Sequence, residues 1–513
     1  MKRSFIPGIP LVLLALTLSA CQPQKQTPDE NITQKQISES PAPQIVELKN
    51  GDSYDLNAEI IEHEINGRKV RMFGYNGTIP GPVIKVTQGS EIQLNFTNGI
   101  DIDQTIHSHG VRLDYRFDGV PDLSQAPVPP EGQFSYTIKF PDAGMYWYHP
   151  HIREDYAQEL GLYGNYVVTP ADPEQWSSVN REEYLFLDDI LMDKKGIEGF
   201  SKDEISHALM GRFGNIFLVN GLTDYRRNVK KGEVVRIALT NSASTRTFSI
   251  SIPGVKMKLV GLDGSEVNKE KFVDSIILSP SERAVLEVLF DREGEFQLVH
   301  DSPARTVALA SFNVLPQTAS EDHSEQFAQL DENDLTGGIE NFEEQLSREP
   351  DKKVRLTVDA GMGMMGMDHG MMNMEDEGVG EDGIEWEDTM AMMNAMSTDR
   401  NVTWKIVDEE TAKENMDIDW NFKKGALVKI RIFNDPDSDH PMQHPIHLHG
   451  QKFLVLSIDG VPNETLAWKD TALVPSGKTV DILLDASNPG KWMGHCHIAE
   501  HLQDGMMFPF NVE

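Results

Sequence analysis

The sequence predicts an all-β protein made of three related domains, and two recurring patterns carry this prediction. The first pattern is a ten-residue stretch that opens on glycine and closes on asparagine, with apolar residues at every second position. Successive side chains of a strand point to opposite faces, so a period of two indicates strands with one buried face. The stretch occurs three times, at 89–98, 232–241 and 425–434.

The second pattern is an alternating apolar segment followed by a turn that contains glycine. These segments lie at 134–140, 286–290 and 482–484, and aromatic or histidine residues follow the first and third turns. Many short strands separated by turn residues are typical of a β-sandwich or a barrel. The turn glycines are Gly144, Gly294 and Gly490.

The spacing of the first pattern predicts the domain organisation. The first two glycine starts are 143 residues apart and the last two are 193 apart, which indicates an insertion of about 50 residues in or before the third domain. We expect domains at 44–172, 173–318 and 350–513, with a polar, acidic linker at 319–349. A methionine-rich insert occupies 361–396.

The composition limits the classes of partner. The chain has 513 residues and a formal net charge of −35. This charge argues against nucleic acid as a partner, because phosphates would be repelled. It suits a cationic partner, although solubility alone also explains it.

The N-terminus resembles a bacterial export signal. Lys2 and Arg3 precede a mostly apolar stretch at 5–18, which is short for a membrane span. The following Leu-Ser-Ala-Cys21 resembles a lipobox. The resemblance implies a signal peptide at 1–20, a lipid on Cys21, a tether at 21–43, and a periplasmic or cell-surface protein anchored only by lipid. The alternative is an ordinary cleaved signal.

Histidine pairs recur at matching places in the first and third copies of the pattern. Two histidines at positions i and i+2 of a strand share one face, so four such pairs can converge on one site. The second copy has Val299, His300 and Asp301 at the equivalent place, which predicts a second domain that holds no metal and acts as a spacer. Imidazole binds copper, zinc, iron and nickel, so the histidines alone do not select the metal. The four pairs are His107 and His109, His149 and His151, His447 and His449, and His495 and His497.

Cys496 indicates that the metal is copper. A blue-copper site uses two histidines and one cysteine with a weak axial ligand, often methionine. Cys496 is followed closely by His501 and Met506, and His444 is left over once the neighbouring pair is assigned. Because the other cysteine, Cys21, lies in the lipobox, we predict no disulfide.

These motifs together resemble the copper motifs of multicopper oxidases, the family that includes laccases, ascorbate oxidase and bacterial copper oxidases. The resemblance implies three cupredoxin-like Greek-key β-sandwich domains and four copper ions: one type 1, one type 2 and two type 3. It also implies that electrons pass from the type 1 copper through Cys496 to a trinuclear cluster between the first and third domains, where O2 is reduced to water. The type 1 ligands would be His444, Cys496, His501 and Met506, the type 2 ligands His107 and His447, and the type 3 ligands His109, His149, His151, His449, His495 and His497.

Reduction of O2 consumes protons, so an acid is expected near the cluster. Asp118 matches the acidic residue of the family, and its alternative interpretation is an Asp-Gly turn. Some bacterial members carry a second acid just after the last type 1 histidine, where this chain has Leu502.

The methionine-rich insert predicts a substrate. Eleven of the 22 methionines fall between 362 and 396, and soft thioethers select Cu(I). Similar inserts occur in bacterial copper-efflux and cuprous oxidases, and Met442 lies where such oxidases place a substrate-copper methionine. The alternative is a flexible loop or a methionine-lined helix that covers the site. The other candidate substrate-copper residues are Met362, Met364, Met365, Met367, His369, Met371, Met372 and Met374.

The sequence therefore favours an enzyme that oxidises Cu(I) with O2 in copper tolerance. A laccase that oxidises phenols, Mn(II) or Fe(II) is the principal alternative. A copper-storage lipoprotein would not need an O2 site, and a copper nitrite reductase would not need the six type 3 histidines.

Overall fold

The computed structural model describes residues 39–173, 175–201, 203–336, 339, 342–361 and 380–513. The predicted signal peptide, Cys21 and the candidate methionines between 362 and 374 with His369 lie outside the described residues. Among the described residues, no helix has both the length and the apolar character needed to cross a membrane.

The first domain is a pair of sheets with strand orders β1-β4-β9-β8-β6 and β3-β2-β5-β7. A 3-10 turn at Tyr115–Phe117 and the short helix α1, Glu154–Ala157, join its strands. The strands are β1 Ile45–Glu47, β2 Ser53–Ile65, β3 Arg68–Tyr75, β4 Val83–Thr87, β5 Glu91–Gly99, β6 His107–His109, β7 Gln133–Lys139, β8 Gly144–His149 and β9 Gly164–Thr169.

The second domain is a pair of sheets with orders β11-β10-β13-β18-β15-β16 and β12-β20-β19-β14-β17. The strands are β10 Arg181–Ile190, β11 Ile216–Val219, β12 Tyr225–Lys231, β13 Glu233–Asn241, β14 Phe248–Ser251, β15 Lys256–Leu262, β16 Ser265–Val273, β17 Ile276–Leu278, β18 Arg283–Phe290, β19 Gly294–Asp301 and β20 Thr306–Thr318. The linker that follows carries two short helices, α2 Ser324–Ala328 and α3 Phe342–Ser347.

The third domain is a pair of sheets with orders β22-β21-β24-β29-β26-β27 and β23-β31-β30-β25-β28. Its helices are α4 Ala391–Met396 and α5 Ala499–Gln503, and a 3-10 turn lies at Asn415–Asp417. The strands are β21 Lys352–Ala360, β22 Val402–Asp408, β23 Trp420–Phe422, β24 Ala426–Asn434, β25 His444–Leu448, β26 Lys452–Ile458, β27 Val461–Pro462, β28 Thr471–Val474, β29 Thr479–Ala486, β30 Gly490–Cys496 and β31 Met507–Val512.

The three copies of the ten-residue pattern form equivalent strands, which confirms the all-β prediction. These strands, β5, β13 and β24, each pair in parallel with an earlier strand and antiparallel with a later one. Their alternating apolar side chains are buried in separate cores, one for each domain. In β13 most of the opposite face is buried as well, because Ala238 packs against Met145 and Val83 of the first domain.

The end of the methionine-rich insert is packed against the rest of the protein. Trp386 is buried. The buried Asn394 side chain accepts a hydrogen bond from the Met210 amide (3.1 Å) and donates one to the Gly211 carbonyl (2.8 Å). The segment 380–396 is thus tied to the second domain, whereas Met392 and Met396 of α4 remain exposed.

Candidate copper centre

Eight buried histidines from the first and third domains meet at one place. In the first domain β6 pairs antiparallel with β8, so that His107 lies opposite His149. In the third domain β25 pairs antiparallel with β30, so that His447 lies opposite His495. The two strand pairs face each other, and the rings of His109 and His447 stack with centroids 3.7 Å apart. The structure thus brings together all four histidine pairs predicted from the sequence: His107, His109, His149, His151, His447, His449, His495 and His497.

The ring nitrogens fall into sets that can each hold a metal ion. In each set the ligand atoms lie within 4.8 Å of one another. Each three-histidine set combines side chains from both domains, so neither domain completes one alone. The sets include His109, His149 and His497; His151, His449 and His495; and His107 with His447 and His109.

Hydrogen bonds fix the orientation of several of these rings. The Nδ1 atoms of His107, His149 and His495 each lie 2.7–2.8 Å from a backbone carbonyl. A carbonyl can only accept, so Nδ1 carries the proton and Nε2 keeps its lone pair. This is the arrangement expected of metal-binding histidines.

The chemistry of the donor atoms fits copper. The buried Nε2 atoms of His107, His151, His447 and His497 have no hydrogen-bond partner within the described structure, and such atoms are costly unless a ligand satisfies them. Burial lowers the pKa of His151, His447 and His497, and lowers that of His495 to about 4, so that these imidazoles are neutral and able to bind a metal.

A second set lies in the third domain around Cys496. The Cys496 Sγ atom is 3.5 Å from His444 Nδ1 and 3.8 Å from His501 Nδ1. Met506 is fully buried, and backbone hydrogen bonds join it to Cys496 (3.1 Å) and His501 (3.0 Å). Burial also raises the pKa of the Cys496 thiol. Two imidazoles and one thiol with a methionine nearby are the donor set of a blue-copper site.

Cys496 links the two centres through the chain. Its neighbour His495 belongs to the set with His151 and His449, and its other neighbour, His497, belongs to the set with His109 and His149. The backbone on either side of the cysteine therefore leads to both sets.

Asp118 lies at the histidine cluster and also begins an Asp-Gly turn. Its Oδ2 atom accepts a hydrogen bond from His449 Nδ1 (2.8 Å), and its carbonyl accepts from His107 Nδ1. The next residue, Gly119, has a φ of +84°, and its α-carbon lies so close to the Ile106 carbonyl that a Cβ atom would clash with it. Asp118 is therefore both an acid beside the cluster and the residue before a glycine with positive φ, so the two interpretations made from the sequence are compatible.

Leu502 is buried in α5, and sequence reasoning missed two further buried acids, Glu154 and Glu500. Glu154 Oε1 is 3.7 Å from His151 Nδ1, and Glu500 accepts a hydrogen bond from Thr245 (3.1 Å). Burial raises the pKa of both carboxyls, to about 7 for Glu500. Their position in sequence, three residues after His151 and one before His501, was the available signal.

Met442 is fully buried two residues before His444. Two further groups near His444, His440 and Glu385, were not singled out by the sequence analysis. Gln443 exchanges two hydrogen bonds with the backbone of Glu385 (2.8 and 3.1 Å). A carboxyl oxygen of Glu385 lies 3.7 Å from His440 Nε2. Among the described residues, neither Glu385 Oε2 nor His440 Nε2 has a hydrogen-bond partner. A thioether, an imidazole and a carboxylate are thus gathered close to the Cys496 set.

His300, at the corresponding place in the second domain, lies in different surroundings. Its ring is 5.9 Å from that of Trp386, and its Nδ1 atom accepts from the Ser249 amide (3.1 Å). The equivalent strand here packs against the end of the insert.

Comparison with known proteins identifies the class to which this fold and centre belong. Models of the multicopper oxidase family match residues 57–173, 191–320 and 387–513. The chain belongs to the multicopper oxidase family: its domains have the cupredoxin-like fold, it is a copper enzyme, and it uses O2 with a reducing substrate.

Individual relatives are similar over most of their length. The chain is 28% identical to multicopper oxidase MmcO of Mycobacterium tuberculosis, over 86% of this chain and 83% of the relative. It is 24% identical to copper resistance protein A of Escherichia coli, over 90% and 93% of the two chains. Among solved structures, a multicopper oxidase from Pseudomonas thermotolerans superposes with a TM-score of 0.68 at 26% identity, covering 91% of this chain and all of that one.

Proposed function

We propose that the chain binds four copper ions in three kinds of site, within domains spanning 44–172, 173–318 and 350–513. The proposal is carried by the buried ring nitrogens from two domains that have no hydrogen-bond partner among the described residues, and by a separate His-Cys-His set. The assigned ligands are His444, Cys496, His501 and axial Met506 for type 1; His107 and His447 for type 2; and His109, His149, His497, His151, His449 and His495 for the type 3 pair.

Copper at these positions supplies one-electron oxidation of the substrate and four-electron reduction of O2 to water. The residues of the chain hold the ions in place and keep them apart from solvent. Cys496 provides the covalent connection between the substrate side and the O2 side. Asp118 orients His449 through the Nδ1 hydrogen bond, and its role in supplying protons stays a prediction.

We assign Cu(I) as the substrate, in a role in copper tolerance. Met442, His440 and Glu385 offer a thioether, an imidazole and a carboxyl group near His444, and such a mixture of donors suits a copper cation. Met392 and Met396 at the end of the insert are exposed and offer further thioethers at the surface. A relative that is named a copper resistance protein supports the same direction.

The alternative is a laccase that oxidises phenols, Mn(II) or Fe(II). The insert would then act as a cover, and the observation that favours this alternative is the dense packing of Trp386 and Asn394 against the second domain. Copper storage without catalysis is disfavoured by family membership, since the family reduces O2.

We also propose that the protein is exported as a lipoprotein attached at Cys21. The basic, apolar N-terminus and the Leu-Ser-Ala-Cys sequence support this. Globomycin-sensitive processing and incorporation of labelled palmitate would test it, and a Cys21→Ala variant that still incorporated label would contradict it.

The substrate is tested by O2 consumption of the copper-loaded protein with Cu(I) as the sole electron donor. The informative variant lacks 362–379 and keeps 380–396, because Trp386 and Asn394 are part of the packed structure. We expect Cu(I)-dependent uptake to fall on deletion while oxidation of a small phenol is maintained or rises. Weak uptake with Cu(I) and strong phenol turnover in both forms would establish a laccase instead.

A further inference from the structure

Arg283 of the second domain is buried at the junction of all three domains, close to the histidine cluster. It is 0% exposed, and its side chain forms a two-pronged ion pair with Asp470 of the third domain, with N–O distances of 2.7 and 2.5 Å. The remaining donors of the guanidinium point to the carbonyls of Ser281 (3.0 Å) and Met145 (3.3 Å). Every donor is therefore used, and they reach into three domains.

Asp470 connects this ion pair to a predicted copper ligand. Its Oδ1 atom lies 2.9 Å from His109 Nε2, and its backbone carbonyl lies 2.8 Å from His447 Nδ1. Thr471 donates to the same Oδ1 atom (3.1 Å). The absence of a side chain at Gly110 makes room for the Asp470 carboxylate, because a Cβ atom there would collide with it.

The orientation of His109 is opposite to that of the neighbouring histidines. His107, His149, His447 and His495 use Nδ1 for an orienting hydrogen bond and present Nε2 to the centre. In His109 it is Nε2 that donates a hydrogen bond, to the Asp470 carboxylate, so Nε2 carries the proton. The Nδ1 atom of His109 faces His149 Nε2 at 3.4 Å. A carboxylate that only accepts can enforce this tautomer.

Further hydrogen bonds and a second carboxylate hold Arg283 in place. Ser281 has a φ of +71°, in the left-handed region that serine rarely adopts. Its carbonyl accepts from Arg283, and its hydroxyl lies 3.0 Å from that of Thr471. A second carboxylate, Asp263, accepts from the Arg283 amide (2.9 Å) and pairs with Lys469 (2.9 Å).

We propose that Arg283 is a positioning residue for the trinuclear centre: by clamping Asp470, it holds His109 in the tautomer and orientation that present Nδ1 to copper. The domain that was expected to be a spacer thus contributes to the ligand geometry. This inference rests on the proposed ligand assignment for His109.

The principal test is Arg283→Lys, which keeps the charge but loses the planar fork. Copper-free protein is titrated with copper, and the blue absorption of the Cys496 site is followed separately from the absorption and EPR signals of the trinuclear sites. We expect the blue band to be retained and the apparent copper affinity of the trinuclear sites to fall about 10- to 100-fold, the usual effect of losing an orienting partner. The matched control is Arg236→Lys, since Arg236 is a second-domain arginine whose ion pairs, with Glu182 and Glu287, involve neither Asp470 nor a histidine.

A second test approaches the ion pair from its other end. Asp470→Asn keeps the size of the side chain but removes the acceptor-only carboxylate, so the same selective loss is expected. In copper-free protein labelled with ¹⁵N-histidine, the wild-type His109 should be protonated at Nε2, and the variant should change this signal. These measurements test the positioning role of the Arg283–Asp470 ion pair even if Arg283→Lys fails to fold.

The outcomes separate the two levels of the argument. If wild-type protein binds no trinuclear copper, the proposed function fails. If wild-type protein loads fully and both variants load their trinuclear sites within twofold of it, the positioning role of Arg283 is overturned. A loss of blue and trinuclear signals to the same extent, matched by a lower unfolding temperature, would show a structural role only and would overturn it as well.

Discussion

At the residue scale, Cys496 is the most exacting single position. Two imidazoles contact its sulfur, and the histidines on either side of it belong to different sets. A Cys496→Ser variant should therefore lose the blue colour, and its oxidase activity should fall at least about 100-fold, because a hydroxyl is a poor copper ligand.

The trinuclear signals of this variant serve as its control. They should persist, since the eight histidines are unchanged. A Cys496→Ser protein that remained blue would contradict the type 1 assignment.

Glu385 should act on the substrate rather than on the electron transfer. Burial raises the pKa of Glu385 to about 8, and a bound cation would favour its deprotonated form. Glu385→Gln replaces this carboxyl with a neutral amide of the same shape, so the KM for Cu(I) should rise about tenfold with little change in phenol oxidation. Steady-state O2 uptake measures both. Glu464→Gln, a neutralised surface acid, is the matched control, and equal KM values for the two variants would rule out a role for Glu385 in binding Cu(I).

At the scale of elements, the strands were predictable and several contacts were not. The period-two stretches gave β5, β13 and β24 because each buries one face in the core of its own domain. The histidine spacing likewise reflects local strand geometry. In contrast, His109 and Asp470 are 361 positions apart, and no local pattern predicts a pairing made by the packing of domains. Glu385 and His440 were missed for the same reason, since their contact joins the insert to the loop that precedes β25.

The helix α4 is predicted to anchor the end of the insert. Asn394→Ala removes a buried side chain that bonds to the backbone at Met210 and Gly211, and leaves those backbone groups without partners. The free energy of unfolding should fall by about 1–3 kcal/mol. Denaturant unfolding of copper-free protein measures it. The exposed Met392→Ala in the same helix should change this quantity by less than about 0.5 kcal/mol, and equal effects would argue against the anchor.

At the scale of the whole molecule, copper binding and domain packing are coupled. The predicted type 3 sets take histidines from both the first and third domains, and Asp118 of the first domain bonds to His449 of the third. Bound copper stabilises only the assembled protein, so chelation of copper should lower the unfolding temperature. Differential scanning calorimetry of holo and copper-free protein measures the change, and identical unfolding temperatures would contradict a cluster shared between domains.

The measurement that tests the central claim most directly is the stoichiometry of the copper-loaded protein, in copper bound and in O2 consumed. The account predicts four copper ions per chain and four electrons transferred from the donor for each O2, with water as the product and no release of hydrogen peroxide. One or two copper ions per chain, or two electrons per O2 with hydrogen peroxide released, would contradict it.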